Sequence, residues 1–521
     1  MKKVLALALA LCMMLAMGTV AFAYGETINK DTVPQSGSTL VKTDADLPTE
    51  PGVPGGDEEW TVTIPAELVV PWDNEEDSAS ETQQYTLDAT LAATSDVTVT
   101  VAPFGEKALT MQSLESNLSA QDGFNYGQTL DIKQDVIEKF KETTVKGSQF
   151  KQPLLEFSGA CAGCGETPYA KLLTQLFGDR MYIANATGCT SIWGNSSPST
   201  PYTVGKDGRG PAWDNSLFED NAEFGYGMLL AQNAIRDGLK AKVETVYASD
   251  AASDEVKAAC KEWLDTFGIG ALNGSATDKL VAVLEGIDCP TCKEIVKNKD
   301  FLAKKSQWVF GGDGWAYDIG FGGVDHVLAS GKDINIMVYN TEVYSNTGGQ
   351  SSKATPTGAV AQFAAGGKEV KQKDLAAIAM SYGYVYVAQI SMGADMNQTI
   401  KALAEAEAYP GPSLIIAYAP CINHGIKKGM AKAQTEEKLA VQSGYWNIFR
   451  YNPAAEKKFS LDCKPATVSY QDFIGGEVRY TSLALKNPER AKALFAQAEQ
   501  NAKDKYEYLE KLVALYDNSG K

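Results

Sequence analysis

The sequence predicts an α/β protein with a doubly wound, mostly parallel sheet, preceded by a small N-terminal β module. Three observations predict this fold. From residue 151 onward, short apolar segments typical of buried strands alternate with segments of helical spacing. Residues 60–64, 68–70 and 97–101 alternate apolar and polar side chains, as in a few exposed strands. The 521 residues allow two to four domains, or one large α/β domain with additions.

The α/β region carries five strand patterns and a series of helical patterns. The strands are predicted at 181–183, 308–310, 334–339, 384–389 and 414–418. The helices are predicted at 167–177, 216–240, 253–266, 315–329, 373–382 and 394–408, with helical spacing also at 131–144 and in the charged tail 488–517. Ligands of such a sheet bind at the carboxyl ends of the strands, where Asp313, Thr341 and Cys421 fall.

The N-terminal region divides into segments of different composition. A charged start, an apolar run too short to span a bilayer and an Ala-Phe-Ala sequence predict a secretory signal peptide over residues 1–23. Residues 24–59 are acidic and rich in proline, which predicts a disordered linker. Residues 60–103 are predicted as a small β-rich segment, 104–150 as a connector and 151–521 as the functional domain.

The charge distribution argues against nucleic acid as a partner. The net charge is −18, whereas binding to a phosphate backbone needs Lys and Arg. Residues 24–103 hold 16 acidic side chains and only Lys30 and Lys42 as basic ones. The composition changes near Pro103, which indicates that two different kinds of sequence have been joined.

Four cysteines lie in loop-like settings beside glycine or proline. Cys161 and Cys164 stand one helical turn apart in Cys-Ala-Gly-Cys-Gly, Cys189 follows Thr-Gly, and Cys421 follows Ala-Pro. Four thiolates on such turns can hold one [4Fe–4S] cluster. For a C-x-x-C pair alone, zinc or a disulfide is the alternative.

The other cysteines outside the predicted signal peptide carry a weaker signal. Cys289-Pro-Thr-Cys292 is a second C-x-x-C pair in a polar, helical stretch with no further thiol pair, so a redox role is the less favoured alternative there. Cys260 and Cys463 are expected to be structural thiols.

Gly312-Asp313-Gly314 predicts a diphosphate site with a divalent cation. Glycines let backbone N–H groups approach phosphate closely, and the turn follows a strand and leads into a helix. Asp313 supplies a carboxylate of the kind that Mg²⁺ prefers. Asn340-Thr341-Glu342-Val343, at the end of the next strand, adds a side-chain oxygen and a carbonyl.

The chain has only two histidines, His326 and His424. A Ser-His-Asp triad and a multi-histidine zinc site are therefore not expected. His326 lies in an apolar helical pattern and is interpreted as structural. His424 is interpreted either as a neighbour of the cluster or as a structural residue.

Long motifs resemble the C-terminal region of single-chain pyruvate:ferredoxin (flavodoxin) oxidoreductases, from about residue 104 to the end. They are FSGACAGCGETPY, IANATGCTSIWG, PSTPYT, GRGPAWDNSLFEDNAEFG, GGDGWAYDIG, YNTEVYSNTGGQSSKATPTGA and APCINHG. The resemblance implies a thiamine diphosphate-binding fold with one [4Fe–4S] cluster. It implies that the cluster is held by Cys161, Cys164, Cys189 and Cys421. It implies that Mg²⁺ is held by Asp313, Thr341 and the Val343 carbonyl. It also implies that Glu166, Gly312, Gly314 and Asn340 bind the cofactor, and that Glu166 and Asn346 lie near thiamine and substrate.

The resemblance also implies an activity and partners. The family converts pyruvate and CoA to acetyl-CoA and CO₂ and passes electrons to ferredoxin or flavodoxin. The family's pyrimidine-binding and ferredoxin-like domains have no candidate in residues 1–103, so they are expected on another chain, in a homo- or hetero-oligomer.

Two alternatives stay open. Another 2-oxo acid could replace pyruvate, or the chain could be a catalytically silent, exported chimeric protein. A cluster-binding core is expected in the cytoplasm, whereas the N-terminus predicts Sec export, and a fused reading frame would explain this conflict.

Overall fold

The computed structural model describes residues 60–63, 68–72, 81–85, 90–93, 97–101, 109–130, 133–196 and 199–517. The predicted signal peptide and the predicted linker lie outside these residues. The chain divides into two compact units, Met1–Asp131 and Ile132–Lys521. Residues 132–150, within the segment predicted as a connector, belong to the larger unit.

The smaller unit contains three antiparallel strand pairs, which confirms the strands predicted there. Strand β1 (Trp60–Thr63) pairs with β4 (Thr90–Ala93), β2 (Leu68–Trp72) with β3 (Glu81–Tyr85), and β5 (Val97–Val101) with β6 (Leu109–Ser113). Two helices follow, Leu114–Asn117 and Ala120–Thr129.

The larger unit is built on one eight-stranded sheet with the order β14-β13-β11-β12-β10-β9-β7-β8. The strands are β7 (Met181–Ala186), β8 (Ala212–Ser216), β9 (Ser306–Gly312), β10 (Asn335–Asn340), β11 (Tyr386–Ile390), β12 (Ser413–Tyr418), β13 (Phe449–Tyr451) and β14 (Phe459–Leu461). The six strands from β11 to β8 are parallel, and β13 is antiparallel to both of its neighbours. All five predicted strands are confirmed. The three strands that were not predicted are short or half-exposed, so they lack an apolar run.

Both faces of the sheet are covered, as a doubly wound fold requires. Successive residues of a strand point to opposite faces. On β9, Val309 belongs to one buried cluster and Phe310 to the other, and on β10 Val338 and Tyr339 divide in the same way. The prediction of a doubly wound, mostly parallel sheet is confirmed.

The helices of the larger unit largely follow the predicted pattern. They are Gln134–Ile137, Val145–Ser148, Thr167–Phe177, Cys189–Ser191, Asn221–Tyr247, Asp254–Asp265, Gly270–Leu284, Pro290–Lys297, Phe321–Ala329, Leu375–Met380, Met396–Ala408, Ala433–Gln442, Tyr470–Ile474, Val478–Lys486 and Pro488–Leu515. Two predictions need correction. Helical spacing over 131–144 yields only Gln134–Ile137, and the helix predicted from 315 begins as a π-helical turn, Gly314–Ile319.

Four consecutive helices from Asn221 to Lys297 enclose a core of their own. Trp263, Leu280 and Ile295 are fully buried there, apart from the two clusters that cover the sheet. Within the described part of the chain, no helix combines the length and the hydropathy that crossing a membrane needs.

A matched pair of glycines tests how the helix Asn221–Tyr247 packs on the sheet. A Cβ atom at Gly225 would lie 2.6 Å from Val309 Cγ2 and 3.0 Å from Ala184 Cβ, whereas nothing lies within 4 Å of a Cβ at Gly227. We expect Gly225→Ala to destabilise the protein by about 1–3 kcal/mol through overpacking. Gly227→Ala should stabilise it by about 0.5–1 kcal/mol, because alanine favours the helix. Urea unfolding of both variants measures this, and equal effects would contradict the close contact.

Candidate functional site

The predicted site residues gather at the carboxyl edge of the sheet. Parallel strands end on the same edge, so segments far apart in the chain meet there. Strand β7 leads to Cys189, β9 to Asp313, β10 to Thr341 and β12 to Cys421.

Three oxygen atoms converge at the ends of β9 and β10. The hydroxyl oxygen of Thr341 lies 3.0 Å from both Asp313 Oδ1 and the Val343 carbonyl oxygen. The Thr341 backbone N–H also donates to Asp313 Oδ1, at 3.0 Å. A carboxylate, a hydroxyl and a carbonyl are the ligand types that Mg²⁺ and Ca²⁺ prefer.

Asp313 is a fully buried carboxylate, and no Lys or Arg of the described residues forms an ion pair with it. Burial raises the pKa of Asp313 to about 7, against the hydrogen bonds from Ser352 and Thr341, which lower it. Ser352 Oγ donates to Asp313 Oδ2 at 2.6 Å. A divalent cation at this point would offset the cost of burying the charged carboxylate.

Two glycines allow the Cys161–Cys164 loop to approach the chain around Cys421. A Cβ at Gly165 would lie 2.5 Å from the nitrogen of Pro420, and Gly165 N–H donates to the Pro420 carbonyl at 3.0 Å. Gly163 has a φ of +73°, and a Cβ there would lie 2.2 Å from the Met430 carbonyl oxygen. Larger residues would separate Cys164 from Cys421.

The four predicted cluster cysteines are close enough to act on each other electrostatically. Burial is the largest cause that raises the pKa of Cys164, Cys189 and Cys421. The charge of a neighbouring thiol of the same set raises each of these pKa values further, Cys161 acting on Cys189 and on Cys421. The sequence-predicted set is therefore brought together.

All eight cysteines in the described residues are free thiols. Among those residues, no three His, Cys, Asp or Glu side chains are grouped so as to hold a single metal ion.

Glu166 is the N-cap residue of the helix Thr167–Phe177, and its charge acts on Cys164, Cys189 and Cys421. Its side chain is buried, and the indole N–H of Trp193 donates to Glu166 Oε2 at 2.8 Å. Burial raises the pKa of Glu166 to about 7, Trp193 lowers it, and the charge of Asp313 raises it. The carboxyl group can therefore hold or release a proton near neutral pH.

A cavity of about 190 Å³ lies between Cys189 and the Gly312-Asp313-Gly314 turn. Its lining includes six of the predicted site residues: Glu166, Cys189, Gly312, Gly314, Val343 and Asn346. Asn346 is exposed at its mouth, and Ser345 Oγ lies 3.1 Å from Cys189 Sγ. A larger cavity of about 450 Å³ shares only Asn340 with the predicted site, whereas six of the twelve predicted site residues line the smaller one.

A buried ionic network that the sequence did not indicate supports the Thr341–Val343 segment. Glu342 has a φ of +62°, which is strained for a residue with a side chain. Its carboxylate accepts from Arg479 at 2.8 Å, Tyr445 OH at 2.6 Å and Gln372 at 3.0 Å. Arg479 also donates from Nε to Glu477, at 2.7 Å. These contacts hold Glu342 in place between two predicted cation ligands.

The two histidines have different surroundings. His424 is fully buried and its Nε2–H donates to the Thr341 carbonyl at 2.8 Å. Burial and the charge of Arg479 hold the pKa of His424 well below its usual range, so the ring is neutral. It thus contacts the Thr341 segment. His326 is exposed, and its ring meets Tyr226 edge-on at 6.3 Å, away from the site.

Comparison with known proteins identifies a cofactor-binding domain. Residues 297–417 match the family described as thiamine pyrophosphate enzyme, C-terminal TPP binding domain. The chain is 54% identical to a pyruvate-flavodoxin oxidoreductase of Klebsiella pneumoniae over 416 residues, which are 78% of this chain and 35% of that protein. It is 56% identical to a pyruvate:ferredoxin oxidoreductase of Moorella thermoacetica over 424 residues, 79% of this chain and 36% of that protein.

A further relative has a different electron acceptor in its name. The mitochondrial pyruvate dehydrogenase [NADP(+)] of Euglena gracilis is 49% identical over 364 residues, 69% of this chain and 20% of that protein. The chain spans about a third of the length of the first two relatives. It therefore contains a thiamine pyrophosphate-binding domain, and the resemblance to pyruvate:ferredoxin and pyruvate-flavodoxin oxidoreductases that its motifs indicated is confirmed.

Proposed function

We propose that this chain supplies the part of a pyruvate:ferredoxin or pyruvate:flavodoxin oxidoreductase that binds thiamine diphosphate, Mg²⁺ and one [4Fe–4S] cluster. The observation that carries the proposal is the 190 Å³ cavity, in which Cys189 and Glu166 face the glycines of the Gly-Asp-Gly turn. A cluster at the thiols and a diphosphate cofactor at the turn would thereby be neighbours.

Asp313, Thr341 and the Val343 carbonyl would hold Mg²⁺, since Asp313 Oδ1 and the Val343 carbonyl oxygen each lie 3.0 Å from Thr341 Oγ1. Gly312 and Gly314 would leave room for the diphosphate, and Asn340 would orient the loop, because its Oδ1 accepts from Glu342 N–H at 3.1 Å. Bound thiamine diphosphate supplies a nucleophilic carbon and an electron sink for decarboxylation of a 2-oxo acid.

Glu166 and Asn346 are the proposed residues next to thiamine and substrate. Glu166 can hold a proton near neutral pH within a buried site, and Trp193 fixes its orientation. Asn346 lies at the mouth of the cavity, where an amide can donate to a carboxylate or a carbonyl. Cys161, Cys164, Cys189 and Cys421 would hold the cluster.

We infer that the activity needs further protein. The matched region makes up only 35–36% of each of the first two relatives, and a pyrimidine-binding partner would complete the thiamine site. CoA would be the co-substrate, ferredoxin or flavodoxin the electron acceptor, and a homo- or hetero-oligomer the assembly. A related 2-oxo acid is the alternative substrate. The cluster-binding unit would act in the cytoplasm, where such clusters are assembled.

Anaerobic reconstitution of the full chain with iron, sulfide, Mg²⁺ and thiamine diphosphate tests the proposal. We expect thiamine diphosphate binding by calorimetry, and viologen reduction that depends on pyruvate and CoA only after a pyrimidine-binding partner is added. 2-Oxoglutarate in place of pyruvate tests the substrate. A reconstituted chain that binds neither the cluster nor thiamine diphosphate would contradict the proposal, and would favour the silent, exported alternative.

Replacing one cluster cysteine should remove the cluster and leave the fold intact. We expect Cys164→Ala to lose the visible absorption of the cluster and most of its iron, because three thiolates leave one iron without its ligand. Cys463→Ala is the control, since Cys463 is half-buried and contacts Asn447. Iron content and circular dichroism are measured for both. Unchanged iron in Cys164→Ala would rule out this ligand.

A further inference from the structure

A second pair of thiols lies in the four-helix region, apart from the proposed cluster site. Cys289 is the N-cap residue of the helix Pro290–Lys297, and Cys292 lies in its first turn. Cys289 is half-buried and therefore reachable from solvent, whereas Cys292 is only 3% exposed. Neither residue has a part in the function proposed above.

The two cysteines lie one helical turn apart. Cys289 is the N-cap residue and Cys292 is the third residue of the helix Pro290–Lys297. Helix geometry puts Cα atoms three residues apart at about 5 Å, which is within the Cα–Cα range of about 4.4–6.8 Å that a disulfide spans. A disulfide can therefore form there with little movement of the backbone.

We propose that Cys289 and Cys292 form a redox-active dithiol that exchanges reversibly with small-molecule disulfides of the glutathione type. The spacing of the two cysteines across one helical turn, the N-cap position of the first and the burial of the second carry this inference. It does not depend on the function proposed for the thiamine site.

The surroundings give the two thiols different roles. The polar groups of Cys292, its backbone N–H first and its thiol second, lower the pKa of Cys289. Burial, followed by the bond and charge of Cys289, raises the pKa of Cys292 to about 11. Cys289 is therefore the attacking thiol, and Cys292 is the resolving thiol that stays protonated until the second step.

The exchange balances in two steps. The Cys289 thiolate attacks one sulfur of glutathione disulfide, and the S–S bond breaks to release one glutathione. The Cys292 sulfur then attacks the Cys289 sulfur of the mixed disulfide and releases the second glutathione. The dithiol loses two electrons and two protons, and the two released glutathione molecules take them up as thiols.

Peptide-resolved mass spectrometry of the full chain tests the proposal. The reduced protein is treated anaerobically with glutathione disulfide, its free thiols are alkylated, and it is digested with trypsin. Residues 280–293 form one tryptic peptide that holds both cysteines, whereas Cys260 lies in another. We expect this peptide to lose two hydrogens, to regain them with dithiothreitol, and to oxidise at least about tenfold faster in the folded chain than in urea.

Two variants make the test specific. Cys292→Ser should leave Cys289 carrying one glutathione, because the resolving thiol is gone, while Cys463→Ser should leave oxidation of the 280–293 peptide unchanged. The proposal is overturned if the peptide keeps both thiols free, if it carries two separate glutathiones, or if oxidation is no faster in the folded chain than in urea.

Discussion

Replacing Asp313 with alanine should abolish Mg²⁺-dependent binding of thiamine diphosphate. Asp313 supplies the only carboxylate among the three converging oxygens, and its neighbours Thr341 and Ser352 are uncharged donors. Loss of residues that merely orient metal ligands costs about 10–100-fold in affinity, so loss of this ligand should cost at least about 100-fold. Calorimetric titration with thiamine diphosphate, with and without Mg²⁺, measures the effect. Unchanged affinity would refute the metal role.

Asp313→Asn and Asp318→Ala separate a lost ligand from a lost structure. Asp318 pairs with Lys353 at 2.6 Å and not with Thr341, so Asp318→Ala should bind normally. Asp313→Asn keeps the size of the side chain but removes the charge. It should lose cofactor binding while the fold remains intact, as circular dichroism would report.

Asp313→Asn should also change how the stability of the cation-free protein depends on pH. Burial raises the Asp313 pKa from 3.8 to about 7, so the folded cation-free protein holds a proton that the unfolded chain has released. The contribution of this group to stability is therefore present below pH 4 and falls as the pH rises towards 7. Cation-free Asp313→Asn should gain stability relative to the parent over this range. Thermal unfolding across that range measures it, and a constant difference would contradict the shift.

Arg479→Met should be among the most destabilising single changes in the larger unit. The guanidinium is 2% exposed and lies between the fully buried carboxylates of Glu342 and Glu477. Removing one partner of a buried ion pair leaves an uncompensated charge and costs about 3–5 kcal/mol. Because Glu342 is held between Thr341 and Val343, the variant should also weaken Mg²⁺ binding. Urea unfolding and Mg²⁺ titration measure the two effects.

Arg490→Met is the matched control for Arg479→Met. Arg490 pairs with Glu369 at 2.6 Å, but the two side chains are 38% and 71% exposed. An exposed pair is worth about 0–1 kcal/mol, so its loss should change stability little. The double variant Arg479→Met, Glu477→Gln should lose less free energy of unfolding than the sum of the two single variants. The reason is that Glu477→Gln removes one of the buried charges that Arg479→Met leaves unpaired. If Arg479→Met lost as little free energy of unfolding as Arg490→Met, the result would argue against a stabilising Glu342–Arg479–Glu477 network.

The linear order of residues was enough to predict the elements that depend on local periodicity. The five central strands are apolar runs that are buried on both sides, and the helix Thr167–Phe177 coincides with its predicted range. Candidate cation and thiol residues could be proposed because glycine turns, carboxylates and thiols are chemically distinctive at strand ends, and their ligand roles stay predictions. Strands β13 and β14 could not, because three-residue strands carry too little pattern.

The sequence by itself determined the fold class of this protein, indicated thiamine diphosphate as its cofactor, and proposed candidate ligands. Only the tertiary structure decided which distant residues meet: Trp193 on Glu166, Ser352 on Asp313, and Arg479 between Glu342 and Glu477. The physical reason is that sequence alone predicts a charged residue to be exposed to solvent. Its burial becomes favourable only when a partner from another segment supplies the compensating charge or hydrogen bond.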